Sequence, residues 1–143
     1  MMGPRASTPF ERSGEFTATP SVLLVEDDPS VRAVVSLMLR SRGLTVFEAP
    51  EPESALRLAR RPGLSLDLLI TDIVMPGMSG LDLAQLVRER HTGIGCMFMS
   101  GFAGDSFDHA LLHDPTCYFI QKPFPIEELM RAIRIALRRS GPR

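Results

Sequence analysis

Two apolar runs of this sequence end in carboxylates. Glu26, Asp27 and Asp28 follow the run SVLLV, and Asp72 follows the run LDLLIT. Neighbouring carboxylates repel one another unless a cation or water screens them. Carboxylate oxygens suit Mg²⁺, so Glu26 and Asp27 predict a magnesium site. Asp28 has a simpler interpretation as the N-cap of a helix that begins at Pro29, and Asp72 alone is equally compatible with a turn or cap.

A hydroxyl and an ammonium follow two later apolar runs. Ser100 follows CMFM, and Gly101 after it leaves space beside the hydroxyl. Lys122 follows YFIQ and is the only lysine among the 16 lysines and arginines. Its compact ammonium differs from the planar fork of arginine, and Pro123 after it favours an extended backbone. These positions add a hydrogen-bonding hydroxyl and a compact positive charge to the carboxylates.

Residues 21–139 alternate between short apolar runs and segments of helical periodicity. The predicted strands are 21–26, 44–48, 66–71, 96–99 and 118–121, and the predicted helices are 30–42, 52–61, 81–90, 105–113 and 126–139. This alternation predicts an α/β fold, a doubly wound parallel sheet with helices on both faces. Functional residues of such sheets lie at the carboxyl ends of the strands. Every candidate group follows a strand, so we expect Asp72 to face Glu26 and Asp27 at one edge.

The composition is that of a single globular domain. The 143 residues are 44% hydrophobic and 23% charged, as expected for one domain with a core. Residues 1–20 are rich in Gly, Pro, Ser and Thr and are expected to form a flexible leader or linker, with residues 140–143 as a tail. The net charge of −1 gives no argument for binding nucleic acid or a membrane.

The apolar segments and the cysteines bear on the cellular location of the protein. No stretch of about 18 apolar residues is present to insert into a membrane, and the first residues lack the apolar core of a signal peptide. Cys96 and Cys117 have the spacing of neither a metal site nor a disulfide framework, so we expect buried, reduced thiols. These features together predict a cytoplasmic location.

Taken together, the motifs resemble the receiver domain of two-component response regulators. The resemblance rests on VLLVEDDP, DLLITDIVMPGMSGLDL, FMSGF and FIQKPF, in that order, and spans about residues 21 to 139. It implies the flavodoxin-like strand order 2-1-3-4-5. It also implies a bacterial signalling role, in which the domain receives a phosphoryl group and changes its surface in response.

The resemblance implies a role for each site residue. Asp72 would accept the phosphoryl group from a histidine kinase or a histidine phosphotransfer protein. Asp27 would bind Mg²⁺ directly, Glu26 would hold a metal-bound water, and the Val74 carbonyl would be a further ligand. Lys122 would pair with the phosphoryl group, and its bond to Pro123 is typically cis in the family. Many relatives have aspartate where this chain has Glu26.

A second set of residues would transmit the change. Ser100 would bond a phosphoryl oxygen, and Phe119, where many relatives have tyrosine, would turn inward. The surface of the fourth helix, fifth strand and fifth helix would then meet an unknown downstream protein, with a phosphorylation-dependent dimer as another outcome. Val74 and Phe102 are apolar at positions that govern access of water, which predicts slow self-hydrolysis. We therefore expect a signalling domain and not a turnover enzyme.

Several alternatives differ from this interpretation. The alternatives within the family are a stand-alone receiver, a receiver cut from a hybrid histidine kinase, and a pseudo-receiver that binds partners without phosphorylation. A phosphatase of the haloacid dehalogenase type would need a second acid at the position of Val74. A flavin carrier would need a phosphate-binding loop where VEDDP would repel a phosphate. The complete set of site residues favours a phosphorylated receiver.

Overall fold

A five-stranded parallel sheet with the order β2-β1-β3-β4-β5 forms the centre of the molecule. The computed structural model describes residues 19–101 and 117–139. Their elements in chain order are β1 Ser21–Val25, α1 Pro29–Ser41, β2 Thr45–Ala49, α2 Pro52–Ala59, β3 Leu68–Asp72, α3 Gly80–Arg90, β4 Gly95–Ser100, β5 Cys117–Gln121 and α4 Ile126–Arg139. The predicted fold class and strand order are confirmed.

The predicted elements differ from the observed ones in small ways. Asp72 and Ser100 are the last residues of β3 and β4, whereas the sequence placed them just after these strands. The described residues contain four of the five predicted helices, and the remaining one, at 105–113, lies outside them. The leader as far as residue 18, Phe102 and the tail 140–143 also lie outside them. Among the described helices, none combines the length and apolar character needed to cross a membrane.

The sheet separates two apolar cores because successive strand residues point to opposite faces. Val22 and Leu24 of β1 belong to one core and Leu23 and Val25 to the other. Helices α1 and α4 close the first core, and α2 and α3 close the second. The central strands are therefore covered on both faces, as the continuous apolar runs predicted. Cys96 and Cys117 are both buried and unbridged, again as predicted.

The ends of α1 follow the predicted capping chemistry. Asp28 is the N-cap, and its side chain accepts hydrogen bonds from the backbone N–H groups of Ser30 and Val31. Pro29 occupies the first turn, and the helix ends before Gly43, whose φ of 93° favours glycine. Asp28 therefore caps α1 and is not a candidate metal ligand.

The buried face of α1 differs from the apolar pattern. In the sequence, Val34 recurs with Val31, Val35 and Leu39 at helical spacing, yet it is 53% exposed, and Leu37 is 70% exposed. Ser36 is buried in the same helix, and its hydroxyl donates to Oε2 of Glu48 on β2 at 2.8 Å. The helix therefore presents a polar side chain to the edge strand, which apolar periodicity does not reveal.

Candidate functional site

Three carboxylates converge at the carboxyl edge of the sheet. Strands β1 and β3 are neighbours in parallel register, with Val25 opposite Thr71. The residues that follow this pair, Glu26 and Asp27 on one strand and Asp72 on the other, therefore lie side by side. One oxygen from each of the three carboxylates lies within 4.8 Å of the other two. The expectation that Asp72 faces the acidic pair is confirmed.

Lys122 reaches the carboxylates from the edge strand β5. Its Nζ lies 2.8 Å from Oδ1 of Asp72 and 3.0 Å from Oε1 of Glu26. Its backbone N–H donates to the Ser100 carbonyl at 2.8 Å, and the Lys122–Pro123 bond is cis. The long side chain of Lys122 thus spans the intervening strand β4, while the hydrogen bond of its N–H to Ser100 fixes its backbone. The contact with Glu26 was not foreseen from the sequence.

Ser100 and Phe119 lie beside this cluster on β4 and β5. Ser100 is half-buried at the end of β4, opposite Gln121 in the register. The ring of Phe119 is half-buried and stacks on Phe98, with 5.3 Å between centroids and 28° between planes. The structure thus places the hydroxyl at the same edge as the acids, and the aromatic ring one strand further along.

The site contains more negative than positive charge. Glu26 is only 1% exposed and Asp72 only 5% exposed, whereas Asp27 is exposed to solvent. Burying ionised groups is costly unless each is paired. One ammonium faces three carboxylates, so full ionisation leaves an excess of two negative charges. A divalent cation would balance this excess.

The pKa values show the same imbalance. Burial and the neighbouring Glu26 raise the pKa of Asp72 from 3.8 to about 7, although Lys122 acts in the opposite direction. Burial also works to raise the pKa of Glu26, but hydrogen bonds from Asp72, the Asp28 amide and Lys122 bring it below its usual value. Burial disfavours the Lys122 ammonium, yet its bonds to Asp72 and Glu26 raise its pKa. Of the two buried carboxyl groups, Asp72 is therefore the one that binds a proton more readily.

The donor set fits a magnesium ion. Mg²⁺ takes hard oxygen ligands at about 2.1 Å, so two ligands on opposite sides of it are roughly 4.2 Å apart. The three carboxylates supply such oxygens, and one oxygen from each lies within 4.8 Å of the others. The cluster of Glu26, Asp27 and Asp72 could therefore hold one ion.

The turn after β3 depends on glycine. Val74 lies in this turn with an exposed side chain, and Gly77 has a φ of 85°, a conformation that glycine adopts without strain. At Gly80, the N–H donates to the Ile73 carbonyl at 2.8 Å, and an added Cβ would overlap the carbonyl oxygen of Asp72. The close approach of α3 to β3 thus sets the backbone of Asp72.

Sequence reasoning did not identify two residues that support the site. The sequence shows Gly80 only as part of the motif DLLITDIVMPGMSGLDL, and its type does not reveal that it begins α3 against the Asp72 carbonyl. Arg32 in α1 was not noted, yet its Nη1 donates to the Glu26 carbonyl at 2.8 Å. An exposed-looking arginine in a helix carries no periodic signal, so this contact could not have been found from the sequence.

A flavodoxin-like sheet with paired acids, an aspartate and a lysine at its carboxyl edge defines a receiver-type signalling domain. The family model of the response regulator receiver domain matches residues 22–134. This chain belongs to the response regulator receiver domain family. Receiver domains are signalling domains and not classical enzymes, and they interact with histidine kinases or phosphotransfer proteins.

Similar proteins occur in more than one setting. Over 124 residues, the chain is 36% identical to the sensor kinase CckA of Brucella abortus, covering 87% of this chain and 13% of that protein. It is 32% identical to the probable transcriptional regulatory protein TcrX of Mycobacterium tuberculosis, covering 85% and 51%. A crystal structure of the receiver domain from the hybrid histidine kinase CckA superposes with a TM-score of 0.69 at 33% identity, covering 82% and 98%. The chain therefore spans 13% and 51% of the lengths of these two curated relatives.

Proposed function

We propose that Asp72 accepts a phosphoryl group from a histidine kinase or a histidine phosphotransfer protein, in a reaction that requires Mg²⁺. One observation carries the proposal: the buried Asp72 carboxylate lies 2.8 Å from the Lys122 ammonium and within 4.8 Å of the oxygens of Glu26 and Asp27. A structural aspartate would need one partner. This one sits among groups that suit a metal ion and a phosphoryl group together.

The chain's own residues account for most of the chemistry. An oxygen of ionised Asp72 attacks phosphorus, the new O–P bond forms, and the P–N bond to the donor histidine breaks with its electrons returning to the ring. Asp27, Asp72 and the Val74 carbonyl would hold Mg²⁺, with Glu26 binding it through water. When bound, the ion neutralises charge on the phosphoryl oxygens. Lys122 pairs with the same oxygens, which offsets the repulsion between two anions.

The same group would operate a conformational switch. The Ser100 hydroxyl at the end of β4 moves to bond a phosphoryl oxygen, and Phe119 turns inward from its present position against Phe98. This movement alters the surface of β5 and α4, which we propose contacts a downstream protein or a second copy. The predicted helix at 105–113, which belongs to the same proposed surface, lies outside the described residues. The apolar Val74, exposed beside the site, keeps hydrolysis of the aspartyl phosphate slow.

The phosphoacceptor assignment can be tested directly. The protein is incubated with Mg²⁺ and acetyl phosphate, and its mass is measured with and without the substitution Asp72→Asn. We expect the added mass of one phosphoryl group in the unsubstituted protein and none in the variant. An unchanged mass in the unsubstituted protein, together with no spectral response to beryllofluoride, would favour a pseudo-receiver.

The setting of the receiver is a second part of the proposal. Similarity to a sensor kinase at 36% identity and to a transcriptional regulator at 32% identity makes both settings reasonable. The shared expectation is a cytoplasmic phosphorelay with a histidine-bound donor and no direct contact with nucleic acid. Size-exclusion chromatography with light scattering, with and without beryllofluoride, would show whether phosphorylation drives dimerisation.

A further inference from the structure

The side chain of Arg32 in α1 contacts the backbone of the acidic segment that follows β1. The Nη1 of Arg32 donates to the carbonyl oxygen of Glu26 at 2.8 Å, where the chain leaves β1. The Nε of the same guanidinium lies 3.5 Å from Oε1 of Glu48 on β2. The proposed phosphoryl transfer gives Arg32 no task, so its position needs a separate explanation.

The bond to the Glu26 carbonyl fixes the backbone of both metal-facing acids. The carbonyl of Glu26 and the N–H of Asp27 belong to one planar peptide group. Holding this plane sets the direction in which the Asp27 side chain leaves the backbone. The Glu26 N–H donates to the Ala49 carbonyl at 3.2 Å, and the Asp28 N–H donates to Oε2 of Glu26 at 3.1 Å. Arg32 therefore completes a set of bonds around one short segment.

Glu48 is itself held in a position that suits Arg32. Its Oε2 accepts a hydrogen bond from the buried Ser36 hydroxyl at 2.8 Å and lies 3.4 Å from Nη2 of Arg40. Arg40 also donates to the Val46 carbonyl at 2.8 Å, which fixes it against β2. A planar guanidinium can meet two acceptors at once, whereas an ammonium is a single point charge. The arrangement thus orders the Arg32 fork between β2 and the end of β1.

We propose that Arg32, ordered by Glu48, is a positioning residue for the magnesium site. It acts by holding the Glu26–Asp27 peptide so that both carboxylates face the ion. The inference rests on the proposed function, since it concerns the metal which that function requires. Groups that orient metal ligands typically change metal affinity by about 10- to 100-fold when removed.

Positioning and simple charge predict opposite results. Arg32 is positive, so removing it should strengthen binding of a nearby cation if only Coulomb forces acted. Loss of an orienting bond should instead weaken the binding. The direction of the change in Mg²⁺ affinity therefore separates the two explanations.

The first experiment measures Mg²⁺ affinity by isothermal titration calorimetry, well below the unfolding temperature. Arg32→Met keeps the length of the side chain and removes its donors, and we expect roughly 10-fold weaker binding. Arg42→Met is the control for the loss of one positive charge, because Arg42 carries the same charge at the other end of α1 and pairs with Glu127 at 3.3 Å. We expect this control to bind within about twofold of the wild type. Unchanged or tighter binding in a folded Arg32→Met variant would overturn the proposal.

A charge-preserving variant covers the case in which Arg32→Met does not fold. Arg32→Lys retains the positive charge but cannot meet both acceptors. We expect its affinity for Mg²⁺ to fall below that of the wild type by several-fold. Wild-type affinity in this variant would contradict the need for the guanidinium fork.

The second experiment needs no metal. Amide hydrogen exchange in the metal-free protein reports on the Asp28 N–H, which bonds to Glu26. We expect faster exchange at Asp28 in Arg32→Met than in the wild type or Arg42→Met, and equal rates would contradict the proposal. If the wild type failed to bind Mg²⁺ or accept a phosphoryl group, the proposed function would fail, while exchange would still test the hold of Arg32 on this segment.

Discussion

The two ends of the sheet use acidic side chains in different ways. At the amino end, Oδ2 of Asp67 accepts a hydrogen bond from the Ser21 N–H at 2.7 Å, and the Asp67 N–H returns one to the Ser21 carbonyl at 2.8 Å. At the carboxyl end, the buried carboxylates of Glu26 and Asp72 share a single ammonium from Lys122. The amino end uses a carboxylate to join strands, whereas the carboxyl end gathers more negative charge than its own residues neutralise.

This difference distinguishes an acidic residue that stabilises the fold from acidic residues that suit a bound cation. A carboxylate that accepts a backbone hydrogen bond stabilises the fold it belongs to. Two buried carboxylates beside each other lower stability until a cation or a proton relieves them. The carboxyl edge therefore holds a site that is unfavourable for the empty protein and favourable for a bound cation.

The largest expected loss of stability comes from substituting glycines that have no room for a Cβ, one at each end of the sheet. Gly80→Ala would place a Cβ against the Asp72 carbonyl oxygen, and Gly95→Ala would place one 2.8 Å from the Ala136 carbonyl oxygen at the other end. We expect losses of about 3 kcal/mol or more for Gly80→Ala and about 1–2 kcal/mol for Gly95→Ala. Urea unfolding measures these losses. Only Gly80→Ala should also impair phosphorylation, and equal impairment in both variants would remove the distinction between the ends.

Removal of the shared ammonium is expected to have the next largest effect. Lys122→Met leaves Glu26 and Asp72 buried without their cation, and we expect a loss of about 3 kcal/mol at pH 8. Added Mg²⁺ should recover part of this loss. Lys122→Arg should fold normally yet accept phosphoryl groups poorly, because the fork would occupy the unmodified carboxylate. Chemical denaturation with and without Mg²⁺ measures the first effect, and a stability unaffected by Lys122→Met would break the comparison.

Matched aspartate substitutions at the two ends should change the stability of the protein in opposite directions. The pKa of Asp72 is about 7 in the folded protein and 3.8 in an unperturbed aspartate, so the folded protein binds this proton more tightly than the unfolded chain does. Its contribution to stability is therefore full below pH 3.8, declines as pH rises to about 7 and then stays low. Asp72→Asn should stabilise the metal-free protein by about 2 kcal/mol at pH 8, and by less at pH 5. Asp67→Asn should instead destabilise it by about 0.5–1 kcal/mol.

Thermal unfolding in metal-free buffer across this pH range checks both substitutions. The difference between Asp72→Asn and the wild type should grow between pH 4 and pH 7. A constant difference would mean that the Asp72 carboxyl is not protonated in the folded protein.

The last prediction concerns the stabilisation of the protein by bound Mg²⁺. At ten times its dissociation constant, Mg²⁺ should stabilise the wild type by about 1.4 kcal/mol. Asp27→Ala should reduce this gain by removing an exposed ligand, while Asp67→Ala should leave it intact. Melting temperatures measured over a Mg²⁺ series provide the comparison, and an identical gain in all three proteins would place the ion elsewhere.

The apolar runs predicted a parallel sheet whose strands all end at one edge, and the resemblance to receiver domains supplied the strand order. The acids that follow SVLLV and LDLLIT were therefore expected to meet at that edge. The exposed Val34 and buried Ser36 were not predictable, because apolar periodicity does not reveal the hydrogen bond of Ser36 to Glu48. The contact of Arg32 with the Glu26 carbonyl was missed for the same reason. Polar contacts between a helix and the strands beside it leave no periodic trace.

The single lysine of this chain has a practical consequence. Selective ¹⁵N labelling of lysine would give one backbone resonance, and it would come from Lys122, whose N–H bonds to Ser100. That resonance would report on the site without any engineered probe. Titrations with Mg²⁺, beryllofluoride or a donor protein could then be followed at one atom in an otherwise silent spectrum.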